Sequence, residues 1–148
     1  MKVGVKKPEV LKLIRGKRVL CVEDGPTLTH GGLPTGAAYI VAKANRCKIV
    51  DPRDYAVGSI KAVYEEFKHL GHVLPAMGYS KRQIRELQRT INAAECEFVL
   101  VGTPIDLRRF MKINKPAIRV QYELKEVSKL KLEDVINKWL KKKALLSQ

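Results

Sequence analysis

No run of eighteen or more apolar residues occurs in this 148-residue sequence, which excludes a long membrane-spanning helix. The opening MKVGVKKPEV is too charged for the apolar middle of a secretory signal. A soluble, cytoplasmic protein that does not engage a membrane is therefore expected. Cysteine is scarce: Cys21, Cys47 and Cys96 are odd in number, far apart and without C-x-x-C spacing, which argues for buried thiols and against a disulfide framework or a zinc site. Aromatic residues make up 6% of the chain, too few and too scattered for the stacking platform of a single-strand binder. There is no G-x-x-x-x-G-K-[ST], because Gly16-Lys17 lacks the upstream glycine and the hydroxyl partner, and no G-x-G-x-x-G. Nor does any spacing set a nucleophile beside a base in the manner of a Ser-His-Asp or Cys-His hydrolase.

Positive charge, by contrast, is abundant. The net charge is +14, and its distribution says more than its size. Residues 1 to 18 carry seven Lys/Arg against Glu9, and residues 125 to 148 carry seven Lys against three acids. The 106 residues between them are only +4. The body is modestly basic, so a nucleic-acid partner is disfavoured in spite of the total.

The pattern of apolar residues gives an alternating α/β order. Residues 1–17 read as a basic lead-in, residues 18–124 as one Rossmann-like domain, and residues 125–148 as a basic amphipathic helix packed on that domain, centred on Leu132 to Leu145. RVLCVE (18–23) has the bounded apolar run of a buried strand. Pro34 is placed in the first turn of the helix that follows, with Ala37, Ile40, Val41 and Ala44 at helical spacing. Ile49-Val50 is a short second strand, stopped by Asp51-Pro52, and Ser59 caps a helix striped by Ile60, Val63, Tyr64, Phe67 and Leu70. HVLPAMG is a third strand limited by Pro75, and Ser80 with Gln83 forms a capping box before Ile84, Leu87 and Ile91. EFVLVG (97–102) and AIRVQYEL (117–124) complete about five strands, with a helical turn over Arg108 to Lys112 between them. This order predicts a three-layer sandwich around a mostly parallel sheet.

In such sheets ligands bind beyond the carboxyl ends of the strands. Four unusual loops are expected there: EDGPTLTHGG, DPRDYAVGS, PAMGYS and GTPIDLRR. Gly31, Gly32 and Gly36 would let backbone N–H groups approach an anion, with Thr27, Thr29 and His30 as further donors; tight turning is the structural alternative. Thr27, Thr29, Gly31, Gly32, Arg53, Ser59, Thr103 and Arg108 are the candidate ligand-binding residues, and Arg109 stands beside the arginine forks. Glu23, Asp24, Asp51 and Asp106 could gather as oxygen ligands for magnesium, or could cap and turn the backbone. His30 is the candidate general acid or base, since its ring titrates near neutrality. His69 and His72 flank Gly71, where helical spacing fails to make them a pair of metal ligands.

The segments VEDGPTLTHGGLPTGAAYIVAK, IVDPRDYAVGSI, VLPAMGYS and VGTPIDLRR, in that order, resemble the carboxyl-terminal part of predicted GTPases similar to cyclic 2,3-diphosphoglycerate synthetase. The likeness runs from Lys12 to Leu124 and marks the four loops as hallmarks of that family. It implies a GTPase- or ligase-type enzyme, in proteins much longer than this one. Their upstream part carries a P-loop and an Asn-Lys-x-Asp guanine motif, neither of which occurs here, so no nucleotide-hydrolysing residue carries over. The expected function is therefore binding of a phosphorylated or anionic small ligand at the sheet edge, with a separate nucleotide-binding partner, in a stand-alone domain or a piece of a longer protein. A homodimeric interaction module without catalysis is the alternative.

Overall fold

A computed structural model of the protein describes residues 2–5 and 9–123. The helix expected over 132–145, within the segment 125–148, lies outside the described residues. Six strands form one sheet: β1 (Lys2–Val5), β2 (Arg18–Asp24), β3 (Lys48–Ile49), β4 (Leu74–Ala76), β5 (Phe98–Val101) and β6 (Ala117–Glu123). Among the described residues five α-helices accompany them: α1 (Val10–Ile14), α2 (Gly25–Thr29), α3 (Ala37–Ala44), α4 (Ser59–Glu66) and α5 (Lys81–Ala93). No helix among the described residues is long and apolar enough to cross a membrane.

The five expected strands are all present and all parallel, which gives the α/β three-layer fold. Strand β2 is the axis. Along one edge it pairs β5, from Val19↔Phe98 to Val22↔Val101. Along the other it carries β3 beside its start (Arg18↔Lys48) and β4 beside its end (Asp24↔Ala76). Pro75 is tolerated because β4 is only three residues long. The sixth strand was not expected: within the 1–17 lead-in, β1 pairs antiparallel with β6 at the far edge, and α1 follows it.

Side chains alternate across a strand, so β2 supplies both cores. Val19 and Cys21 point to one face, where they join Leu28, Ala38, Val41, Val73 and Leu100 under α1, α2 and α3. Leu20 and Val22 point to the other, where they join Ile60, Leu87, Ile91, Val99 and Leu107 under α4 and α5. Each fully buried aliphatic side chain contributes about 1.5–3 kcal/mol relative to an exposed one. The cysteines follow this packing. Cys21 is buried, Cys47 and Cys96 are half-buried, all three are free thiols, and burial raises the pKa of each.

The capping box is present as expected. Ser80 accepts the Gln83 N–H at 3.2 Å, the Gln83 side chain accepts from the Ser80 N–H, and α5 begins at Lys81. Three other helix boundaries differ from expectation. Ser59 is the first residue of α4 and not its cap, a position taken by Gly58, while its N–H and hydroxyl donate to Glu86. Pro34 precedes α3 by three residues, and its carbonyl instead accepts the Gly71 N–H at 2.7 Å. Helix α4 stops at Glu66, so Phe67 and Leu70 continue the apolar face beyond the helix.

Candidate ligand cleft at the carboxyl edge of the sheet

The stretch after β2 is not an open glycine loop. Residues 25–29 close into the short helix α2 with Pro26 in its first turn, where a missing N–H costs nothing. The helix ends when the N–H groups of His30 and Gly31 both reach the Pro26 carbonyl, at 2.9 and 3.2 Å. A Cβ on Gly31 would collide with the Thr27 carbonyl, and Gly32 has φ +72°. These two glycines are thus required for stopping α2 and turning the chain, the structural alternative raised above.

Glu23, the last fully buried residue of β2, organises what lies beyond. Its carboxylate accepts the N–H groups of Gly36 at 2.8 Å, Ala38 at 2.9 Å and Tyr39 at 3.0 Å. It therefore caps the amino end of α3 from a neighbouring strand, satisfying donors that a helix cannot satisfy itself. Burial pushes its pKa up, while the bonds from Tyr39, Ala38 and Gly36 pull the other way. A Cβ on Gly36 would lie 2.8 Å from the Glu23 Cδ, and one on Gly102 would collide with Oε1. Glycine at the end of β5 lets the fourth loop close over this carboxylate. Gly102 itself donates its N–H to the Val22 carbonyl at 2.7 Å.

A cleft of about 170 Å³ opens above this junction, lined by Glu23, Asp24, Thr27, Gly36, Gly102 and Pro104. The Thr27 hydroxyl donates to the Asp24 carboxylate. Arg119 on β6 donates to the Pro104 carbonyl at 2.9 Å and so braces the rim. The loops after β2 and β5 do converge, as expected of the carboxyl edge.

The other candidate residues are placed elsewhere. Thr29 is buried, with its hydroxyl bonded to the Gly25 carbonyl at 3.1 Å. Thr103 is buried and accepts the Ile105 N–H at 3.1 Å. Ser59 donates both its N–H and its hydroxyl to Glu86, at 2.5 and 2.7 Å. His30 is exposed, and its ring packs edge-on to Phe67 at 6.0 Å.

The acids do not assemble as magnesium ligands. Among the described residues no group of three His, Cys, Asp or Glu side chains is arranged to hold a metal ion. The reason is local: Asp51 and Asp106 each cap a 3-10 turn, accepting the N–H of Arg53 at 3.1 Å and of Arg108 at 3.2 Å. Both turns read Asp-x-Arg, and in both the arginine folds back. Arg108 meets Asp106 through Nε at 3.0 Å and Nη2 at 3.2 Å, which lowers the pKa of the acid and raises that of the base. Arg53 lies 3.6 Å from Asp51 and donates to the Leu70 carbonyl at 2.9 Å. His72 is 3.6 Å from Asp51, whereas His69 meets the Leu28 carbonyl at 2.7 Å, so the two histidines have separate partners.

Glu86, Gly58 and Arg119 were not among the residues expected from the sequence. Only Arg119 carried a signal, as the one charge within the alternation of AIRVQYEL before its final acid.

Over 140 residues, 94% of this chain, the sequence is 58% identical to a protein of Thermococcus kodakarensis named Arginine synthetase ArcE. The chain spans 31% of that protein's length. It is therefore homologous to one part of a larger protein, and the name differs from the GTPase and cyclic 2,3-diphosphoglycerate synthetase of the sequence resemblance. No protein-family profile matches the chain. No solved structure matches it either.

Proposed function

We propose that this chain acts as the ligand-binding α/β module of an arginine-synthetase-like protein. The cleft at the carboxyl ends of β2 and β5 would receive one end of a small substrate or product. The observation that carries this reading is the lining of the cleft: the Asp24 carboxylate, the Thr27 hydroxyl and backbone groups converge there above the Glu23-capped junction, with no basic side chain among them. Such a set accepts hydrogen bonds from a cationic group better than it binds a phosphate. The guanidinium of arginine, suggested by the relative's name, is a planar group of that kind. The cleft is small, so it suits the head of a ligand whose remainder meets another part of the protein. Nucleotide hydrolysis would be carried out outside this chain, by the rest of such a protein or by a separate subunit, in keeping with the missing P-loop.

Calorimetric titration tests the reading. Arginine is expected to bind, and Asp24→Asn to weaken it by about tenfold, the effect of losing one charge-assisted bond. Titration with 2,3-bisphosphoglycerate, nucleotide and phosphate, with and without magnesium, covers the anionic alternatives. Arginine giving no heat with well-folded protein, while one of these anions binds in the cleft, would sink the cationic reading. An association module is the second reading, favoured by the exposure of Leu13, Leu33, Ile40, Tyr79 and Phe110. Sedimentation velocity showing only monomer across a wide concentration range would dismiss a homodimer.

A further inference from the structure

A second concavity, larger than the cleft, lies along α4 and the segment that follows it. Its volume is about 420 Å³, within the range of small-molecule sites. Its chemistry is opposite to that of the cleft: Arg53, Lys61 and Lys68 line it, opposed by Glu65, with Tyr64 and Phe67 as aromatic walls.

These groups are held apart and in place by the fold. Tyr64 is fixed through its hydroxyl, which donates to the Val73 carbonyl at 2.6 Å. Arg53 is clamped by the Leu70 carbonyl and lies over the Tyr64 ring at 5.7 Å. Phe67 is held edge-on between His30 and His69, at 6.0 and 6.2 Å. Lys61 and Lys68 have no ion-pair partner among the described residues. Two ammonium groups therefore flank a wall made of two rings and one guanidinium, which also lies 3.6 Å from Asp51.

The geometry points to a binding site for a phosphate-bearing ligand with a flat ring, of the mononucleotide class. Its phosphate would sit between Lys61, Lys68 and Arg53, and its ring against Phe67. Nothing in this arrangement uses a glycine-rich phosphate loop, so the missing P-loop does not bear on it. The site is distinct from the acidic cleft, and its failure leaves the cleft reading untouched.

The probes are adenosine monophosphate and pyrophosphate, titrated calorimetrically into the full chain at low salt. Adenosine monophosphate is expected to bind more tightly than pyrophosphate. The exposed double variant Lys61→Glu/Lys68→Glu should weaken it by at least tenfold, and Asp24→Asn in the cleft should leave it unchanged. Phe67→Leu should weaken adenosine monophosphate several-fold and pyrophosphate not at all. Absence of binding by well-folded protein, or binding indifferent to the double lysine variant, would overturn the site. Pyrophosphate binding as tightly as the nucleotide would overturn the ring contact.

Discussion

Two glutamates cap two helices from a distance, with pKa values shifted in opposite directions. Glu23 on β2 accepts three N–H groups at the start of α3 and is 1% exposed. Glu86 on α5 is 8% exposed, accepts the N–H and hydroxyl of Ser59 at the start of α4, and also pairs at 2.8 Å with Arg82, whose side chain is exposed. Each stands against a glycine that has no room for a side chain, Gly102 for Glu23 and Gly58 for Glu86. The difference is in what replaces water. Burial raises the pKa of Glu23, whereas the Ser59 hydroxyl and N–H lower that of Glu86. A shared device is thus closed off inside the fold in one place and tied to an exposed arginine in the other.

The comparison is broken most severely at Gly102. Gly102→Val would drive a side chain into a carboxylate that three N–H groups hold still, with the Ala38 N–H only 3.0 Å from the new Cβ. A loss of about 3 kcal/mol is expected in denaturant unfolding. Glu23→Gln comes next. The amide cannot accept all three bonds, and about 2 kcal/mol should be lost. Glu86→Gln should cost about 1 kcal/mol, because the amide oxygen still accepts one of the Ser59 bonds.

The pH dependence sharpens the contrast, and the two signs are opposite. A lowered pKa gives stability that is present above the ordinary carboxylate range and lost as pH falls through the folded value. The cost of Glu86→Gln should therefore shrink as the solution is acidified. A raised pKa gives stability that is present below the ordinary range and lost as pH rises through the folded value. The cost of Glu23→Gln should shrink in that direction instead. Unfolding curves for both variants across the acidic range check this, and slopes of the same sign would undo the comparison.

How much of this could be read in the sequence follows from what each signal depends on. Strand periodicity, the Ser80–Gln83 box and the Pro stops are local, and each element they announced is present. β1 was not legible because KVGV shows its meaning only against Tyr122 and Gln121, far along the chain. The cleft was legible as a place more than as a residue list. Loops one and four do meet at the carboxyl edge, and Glu23, Asp24 and Thr27 line the cleft there. Arg53, Arg108, Asp51 and Asp106 were unusual for a nearer reason, two Asp-x-Arg turns that cap themselves. Glu23 itself looked like a metal ligand because a buried carboxylate and a remote helix cap have the same one-letter appearance.

That ambiguity has a direct test in amide hydrogen exchange at Gly36, Ala38 and Tyr39, measured in the wild type and in Glu23→Gln with and without magnesium. With Glu23 as the cap of α3, these amides are protected in the wild type whether or not magnesium is present. They should exchange about tenfold faster in the variant, as a loss near 1.4 kcal/mol of local stability requires. Wild-type amides that are unprotected, or whose protection collapses when magnesium is added because the carboxylate turns to the ion, would contradict the account.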